Sequence, residues 1–299
     1  MMESVVASVA GKPFDIFFSG GVDSSTVLFA ALECGYKPRC ITFDVENVES
    51  SDRAVSASIC RAFGLKHDIV TIPSDIDALL EDVTGVIRDL VEWEYQPRIL
   101  ARLIQVMHPA LYLVPEMVAD IALTGSAGDL LALTSRQDCV RVNEEGESRA
   151  WALRTFKHGR KTESDYLFDR YARTLKKRVH HPLEDVEIFR WARGLPRHEF
   201  NWPRQKAAMV ACFEDHWRRG AWYRKNSPYQ INSGLKRLHD KLLTSSYNRR
   251  SYVAVIGVYR EIADTLGIRC GARRCQDVFL APQRLGFHVW DVASTTFAE

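Results

Sequence analysis

The 299-residue chain has no apolar run of about eighteen residues, so no membrane-spanning helix is expected. Its first residues show no basic segment followed by a long apolar one, which argues against a secretory leader. The seven cysteines are odd in number and widely scattered, which is typical of reduced thiols rather than of a disulfide framework. We therefore expect a soluble, cytoplasmic protein with no membrane partner.

Two sequence motifs are missing as well. The chain has no Cys-x-x-Cys pair, and Cys270 and Cys275 lack a second pair, so structural zinc is not expected. No glycine-rich loop ends in Gly-Lys-Ser or Gly-Lys-Thr, which excludes the phosphate loop of kinases and GTPases. Any phosphate-binding turn in this chain must use other residues.

The charge is balanced overall but not along the chain. There are 40 Lys and Arg and 38 Asp and Glu in total, and residues 1–150 hold only 12 of the basic and 23 of the acidic residues. The second half therefore carries a clear positive excess. This excess fits either solvated surface and contact between the halves or attraction to an acidic partner such as a nucleotide or nucleic acid.

Apolar runs and helical patterns alternate through the first half. We predict strands at 15–18, 38–45, 67–73 and 119–125, with helices after the first two and a long helix over about 97–116. This order is typical of an α/β fold with a doubly wound parallel sheet. We assign residues 1–150 to the α/β core and 151–299 to a mainly helical, basic region.

A glycine turn directly follows the first predicted strand. Residues 19–25 read Ser-Gly-Gly-Val-Asp-Ser-Ser and precede an apolar helix. Glycines let the backbone approach a ligand closely, and the N-terminus of the next helix offers amide donors to phosphate. Asp23 would repel a bare phosphate, but it suits a nucleotide that arrives with a divalent cation. The glycine pair alone is also compatible with an ordinary turn.

A second glycine turn follows the fourth predicted strand, in residues 124–131 (Thr-Gly-Ser-Ala-Gly-Asp-Leu-Leu). By itself it fits a flexible turn before a helix. In a doubly wound sheet, however, ligands bind at the carboxyl ends of the strands, so both turns are expected to face one site.

Together the two turns resemble those of the N-type ATP pyrophosphatase (PP-loop) superfamily. The resemblance is closest to the synthetase domain of asparagine-synthetase-like enzymes, which form an adenylate from ATP and then an amide. It implies ATP and Mg²⁺ as cofactors, with Mg²⁺ held by Asp23 and Asp129. The residues that it implies for ATP and pyrophosphate are Ser19, Gly20, Gly21, Val22, Asp23, Ser24, Ser25 and Gly125.

A third stretch extends the resemblance into the second half. Asp169-Arg170, then Pro182 and Asp185, keep the spacing of a family string, and Lys206 follows where the family carries a lysine that steadies the pyrophosphate. Lys206 is the candidate for that catalytic role, although a surface lysine in a basic helix would look the same.

The acceptor side departs from the family. Ser126 stands where relatives carry an acidic residue or tyrosine, and serine is a poor base at neutral pH. Ser126 and His180 are nevertheless our candidates for the amide-forming step, with His181 as an alternative to His180, because imidazole titrates near neutral pH. The two histidines also fit a surface pair.

The substrate and partners stay open. The chain reaches its first turn by residue 19, so we expect no glutaminase domain of its own and a separate glutaminase as a possible ammonia supplier. Residues 214–274 interleave aromatic and basic side chains, which suits either nucleic acid or an amphipathic helical domain. The expected reaction is adenylation of a carboxylate or carbonyl of a small-molecule substrate, followed by attack of an amine. The alternatives are modification of a nucleobase in tRNA or DNA, and a catalytically degenerate nucleotide-binding subunit.

Overall fold

One parallel sheet organises the part of the chain that the structure describes. The structure, a computed structural model, describes residues 2–9, 11–75, 78, 81–82, 108–134, 136–148, 150–151, 163–220, 232–235 and 237–238. The described strands are β1 (Asp15–Phe17), β2 (Arg39–Val45), β3 (His67–Ile72), β4 (Ile121–Thr124) and β5 (Arg178–His180). They form a five-stranded sheet in the order β3-β2-β1-β4-β5. The predicted α/β doubly wound parallel fold is confirmed.

Helices connect and cover these strands. Their bounds are α1 (Met2–Val6), α2 (Val22–Glu33), α3 (Ser51–Phe63), α4 (Gly128–Leu131), α5 (Arg136–Glu145), α6 (Glu163–Thr174), α7 (Val186–Arg193), α8 (Arg197–Phe200), α9 (Ala207–Ala211) and α10 (Glu214–Gly220). Short 3₁₀ turns occupy Ala7–Val9 and Pro182–Glu184. No described helix has both the length and the apolar character that crossing a membrane requires.

The central strands are buried on both faces. Every residue of β1 and β4 is buried, which is why these strands read as continuous apolar runs rather than as alternating patterns. Edge strand β5 is only partly buried. Its three residues carry no apolar run, so it was missed in the sequence.

Helix α2 is enclosed on nearly all sides. Its buried residues run from Ser24 to Ala31 without a break. Phe29 packs edge-on against Trp217 and also contacts the rings of Phe63 and Phe213. This packing fixes the start of α2, and therefore the first glycine turn, within the core.

The chain divides into two compact units. Unit 1 comprises Met1–Phe43, Ser51–Val70 and Leu113–Tyr229, and unit 2 comprises Asp44–Ser50, Thr71–Tyr112 and Gln230–Glu299. Every candidate site residue belongs to unit 1, which draws on both halves of the sequence. The proposed division near residue 150 stays a prediction. Residues 97–107 of the predicted long helix, most of the basic and aromatic region, and Cys270 and Cys275 lie outside the described residues.

Candidate functional site

The two glycine turns start side by side, at the carboxyl ends of two neighbouring strands of the sheet. Strands β1 and β4 are parallel neighbours, with Phe17 paired to Thr124 at their carboxyl ends. Since β2 lies on the other side of β1, the strand order reverses at this point. Such a switch point leaves a crevice between the two outgoing turns.

The first turn is held by its own serines. Ser19 Oγ accepts a hydrogen bond from Gly21 N at 3.2 Å and lies 3.1 Å from Ser24 Oγ. No side chain caps α2, whose twelve residues begin directly after Gly21. The first amides of a helix have no partner within it, so this turn can offer donors to a phosphate.

Gly20 occupies a position that tolerates no side chain. Its φ is +70°, and an added Cβ would lie 2.8 Å from Val55 Cγ1 and 3.0 Å from Ser56 N. Gly64 has a similar φ of +62° but open space around it. Gly20→Ala is therefore expected to lower the free energy of unfolding by about 2–4 kcal/mol, and Gly64→Ala by only about 1–2 kcal/mol.

Urea unfolding measures the loss of stability in each variant. Both glycines have a positive φ, but only at Gly20 would an added Cβ meet atoms of α3, so the difference between the two losses reports the contact with α3. Equal losses of stability in Gly20→Ala and Gly64→Ala would contradict the close packing of the first turn on α3.

The two turns touch through glycines of the second. A Cβ on Gly125 would overlap Ser24 N, and a Cβ on Gly128 would overlap the carboxyl group of Asp23. The backbone of the second turn therefore lies directly against the start of α2, as close backbone approach requires. Ala127, in the left-handed region with φ of 76°, turns the chain into α4.

Lys206 brings the second half of the sequence into this crevice. It immediately precedes α9, and its side chain is only 1% exposed. Its Nζ lies 2.7 Å from Asp23 Oδ2 and 2.7 Å from Asp129 Oδ1. The three residues that the sequence assigned to metal binding and charge stabilisation therefore meet at one point.

One ammonium group does not neutralise two carboxylates. Burial raises the pKa of Asp23, Lys206 opposes that rise without cancelling it, and the negative charge of Asp129 adds to it. Burial alone would lower the pKa of Lys206, but the two carboxylates more than offset this effect and the pKa lies above its usual value. When all three groups are ionised, they carry together one negative charge in excess, which favours the binding of a further cation.

The donor set fits a magnesium ion that arrives with a nucleotide. Asp23 Oδ1 is buried and has no hydrogen-bond partner among the described residues, whereas Asp129 has a side chain that is 57% exposed. No described group of three or more His, Cys, Asp and Glu is arranged to hold a metal. Two carboxylates alone leave most of an octahedral shell to phosphate and water, which is usual for Mg²⁺.

The two histidines that the sequence offered for the amide-forming step contact different parts of the structure. His180 lies at the end of β5 with Nε2 3.4 Å from Asp185 Oδ2, while the buried His181 has Nδ1 2.6 Å from Thr124 Oγ1. Thr124 Oγ1 also accepts a hydrogen bond from Ser126 N at 3.2 Å. His181, rather than His180, is therefore linked to the second turn, and Ser126 joins that link through its backbone amide.

Three supporting residues escaped the sequence interpretation. Thr124 links His181 to the turn, Thr134 donates from Oγ1 to Asp129 Oδ1 at 3.0 Å, and Asn201 accepts from Lys206 N at 3.0 Å. Thr134 and Asn201 are single polar residues outside any motif, and Thr124 opens the second turn, where its side chain had no predicted role. The partner of each is unknown until the fold is known, so the sequence held no signal for it.

Several curated proteins that are described as 7-cyano-7-deazaguanine synthase are similar to part of the chain. The protein of Methanoregula boonei is 30% identical over 27% of this chain and 37% of its own length. That of Psychromonas ingrahamii is 31% identical over 28% of this chain and 39% of its own length. That of Alteromonas mediterranea is 37% identical over 22% of this chain and 29% of its own length. This chain thus aligns with less than two fifths of each of these relatives.

A family-level comparison covers much more of the chain. Residues 3–243 match the profile of the family described as asparagine synthase, and this range includes both glycine turns, Asp129 and Lys206. The predicted resemblance to the PP-loop superfamily is confirmed. The chain belongs to the asparagine synthase family, within the PP-loop superfamily of ATP-using enzymes.

Proposed function

We propose that this protein cleaves ATP to AMP and pyrophosphate in order to adenylate a carboxylate or carbonyl oxygen, which an amine or ammonia then attacks. The observation that carries the proposal is the meeting of Lys206, Asp23 and Asp129 where the two glycine turns touch. In this arrangement a cation and two carboxylate oxygens lie together at the start of α2, next to the first glycine turn.

Each group has a role in this reaction. Backbone amides and serine hydroxyls of residues 19–25 would hold the β- and γ-phosphates, and Lys206 would stabilise the negative charge that develops on the departing pyrophosphate. Asp23 and Asp129 would hold Mg²⁺, which supplies charge neutralisation and positions the triphosphate. The acceptor oxygen then attacks the α-phosphorus, the bond to the bridging oxygen breaks, and pyrophosphate leaves.

The second half-reaction needs a base for the incoming amine. Ser126 and His180 remain candidates from the sequence, and the contact between His181 and Thr124 supports His181, the alternative to His180. His181 is 3% exposed, so it would serve an amine bound within the crevice rather than one in open solvent.

A pyrophosphate-release assay tests the proposal. Purified protein with Mg²⁺ and ATP is supplied with amino acids, free nucleobases and nucleosides, or tRNA, with ammonium as the amine. Release that depends on one of these acceptors and yields AMP in equal amount supports the proposal. Binding of ATP without release for every acceptor would instead favour a catalytically degenerate nucleotide-binding subunit.

Asp129→Ala is expected to lower the rate of pyrophosphate release about tenfold and to raise the Mg²⁺ concentration needed for half-maximal rate. The effect is moderate because Asp129 is more than half exposed, so water can replace part of its contribution. A Mg²⁺ titration of the wild type and the variant at saturating ATP measures both changes.

Asp120→Ala provides the control, because Asp120 lies just before β4, at the opposite end of that strand from the second turn. An unchanged Mg²⁺ dependence in Asp129→Ala would remove Asp129 from the metal site.

A second candidate function is modification of a nucleobase. The observation that favours it is the similarity to proteins described as 7-cyano-7-deazaguanine synthase. A deazapurine or related heteroaromatic carboxylate would then be the acceptor, either free or within RNA or DNA. Pyrophosphate release that responds to such bases and not to amino acids would support this candidate over an amino-acid acceptor, and a steep dependence on salt would indicate a nucleic-acid substrate.

A further inference from the structure

Lys206 holds an unusual backbone position for a buried lysine. Its φ is 61° and its ψ is 27°, in the left-handed region, directly before α9. Residues 202–205 are exposed, whereas Lys206 is buried. Left-handed backbone at a non-glycine residue persists only where neighbouring contacts enforce it.

Asn201 makes the contact that closes this exposed loop. Its Oδ1 accepts a hydrogen bond from Lys206 N at 3.0 Å. Its Nδ2 donates to Ala132 O and to Arg197 O, each at 2.9 Å. The amide group thus connects three separate backbone positions through one acceptor and two donors.

Ala132 is the position that relates this network to the site. It directly follows α4, the four-residue helix whose first turn carries Asp129. Arg197 adds a parallel contact, because its Nε donates to Leu133 O at 3.2 Å. The side chains of Arg197, at the start of α8, and of Asn201, directly after its end, therefore hydrogen-bond two successive carbonyls just beyond α4.

We propose that Asn201 is a positioning residue of the adenylating site, whose side-chain amide fixes the Lys206 backbone relative to the helix that carries Asp129. This inference rests on the proposed function for its catalytic consequence. The hydrogen bonds of Asn201 go to Ala132, Arg197 and Lys206 rather than to either carboxylate, so it acts through Lys206. A displacement of about 1 Å at a reacting group can cost about 100-fold in rate.

The first test needs no substrate. NMR of ¹⁵N-labelled lysine ammonium groups reports the Lys206 ion pairs directly, with the resonance assigned by its loss in Lys206→Met. We expect Asn201→Ala to shift or broaden this resonance beyond detection, while the matched exposed variant Asn143→Ala leaves it unchanged. A Lys206 resonance of the same position and intensity in Asn201→Ala would overturn the proposal.

The second test is a double-mutant cycle in pyrophosphate release. Asn201→Ala is expected to lower kcat about 10- to 100-fold with less than about a threefold change in KM for ATP, but to have under about a twofold effect in the Lys206→Met background. An equal factor in both backgrounds would indicate a general structural role and overturn the proposal.

Asn201→Asp covers the case in which Asn201→Ala does not fold. It keeps an acceptor for Lys206 N and removes both donors, so the proposal expects the same shift of the Lys206 resonance and the same fall in kcat. Wild-type values in a folded Asn201→Asp would overturn the link to Ala132. If the wild type releases no pyrophosphate with any acceptor, the proposed function fails, and the NMR comparison still decides the role of Asn201.

Discussion

Replacing Lys206 with methionine is expected to lower pyrophosphate release about 100- to 1,000-fold at saturating ATP and Mg²⁺, because a preorganised cation at the developing negative charge is lost. Methionine fills a similar volume, so the packing around α9 is largely kept. The assay follows pyrophosphate and AMP together, and most of the loss is expected in kcat rather than in KM.

The same variant has a second expected result. The Lys206 ammonium lies 2.7 Å from an oxygen of each carboxylate, so it would compete with a metal for them. Removing it leaves Asp23 and Asp129 in mutual repulsion and is expected to lower the free energy of unfolding by about 2–4 kcal/mol. Added Mg²⁺ should then raise the thermal midpoint of Lys206→Met more than that of the wild type.

Lys177→Met is the matched control. Lys177 is a half-buried lysine whose Nζ donates to Met117 O at 2.6 Å, before the start of β4 and away from both glycine turns. It should lose stability without gaining a response to Mg²⁺ and without a selective fall in kcat. A Lys206→Met protein with wild-type turnover would exclude Lys206 from the chemistry.

The framework of this site was accessible from sequence because it depends on local patterns. Buried parallel strands leave apolar runs, and a phosphate-type turn leaves a glycine pair before a helix, so β1 to β4 and the position of Asp23 followed from neighbouring residues alone. The meeting of the two turns followed from one topological rule, since ligands bind at the carboxyl ends of parallel strands, and the family resemblance then identified Asp129 within the second turn.

The remainder depends on contacts between distant segments. Lys206 was a candidate only through family spacing, and its two ion pairs span separations that no local pattern encodes. His180 and His181 are adjacent in sequence, yet one lies near Asp185 and the other contacts Thr124. Which histidine lies at the second turn depends on the end of the short strand β5, and its three residues gave no signal.

Asp23→Asn is expected to abolish pyrophosphate release without the loss of stability that usually follows a change in one partner of an ion pair. Oδ2 of this carboxylate accepts a hydrogen bond from Lys206 Nζ. Its Oδ1 is buried and has no hydrogen-bond partner among the described residues. An amide of the same shape removes its charge and its affinity for Mg²⁺, so pyrophosphate release should fall about 1,000-fold. The free energy of unfolding near neutral pH should stay within about 1 kcal/mol of the wild type or exceed it.

The expected pH dependence follows from the raised pKa of Asp23. Above that pKa, Asp23 is ionised in both the folded and the unfolded protein, and the folded state alone bears the cost of burying the charge. As the pH falls, the folded protein takes up the proton first, so the cost disappears once both states are protonated. The stability advantage of Asp23→Asn should therefore be present near pH 7 and shrink toward acid.

Asp15→Asn is the control that gives this result its meaning. Asp15 is buried, and its Oδ2 accepts hydrogen bonds from Val118 N at 2.8 Å and Ala119 N at 3.1 Å. Asp15 begins β1, at the end of the strand opposite to the first glycine turn, and these hydrogen bonds come from the backbone. Its replacement should therefore lower the free energy of unfolding by about 1–3 kcal/mol with no selective loss of pyrophosphate release. If Asp23→Asn behaved like Asp15→Asn, losing stability but keeping turnover, Asp23 would be a structural carboxylate and the metal-binding role of the first turn would be wrong.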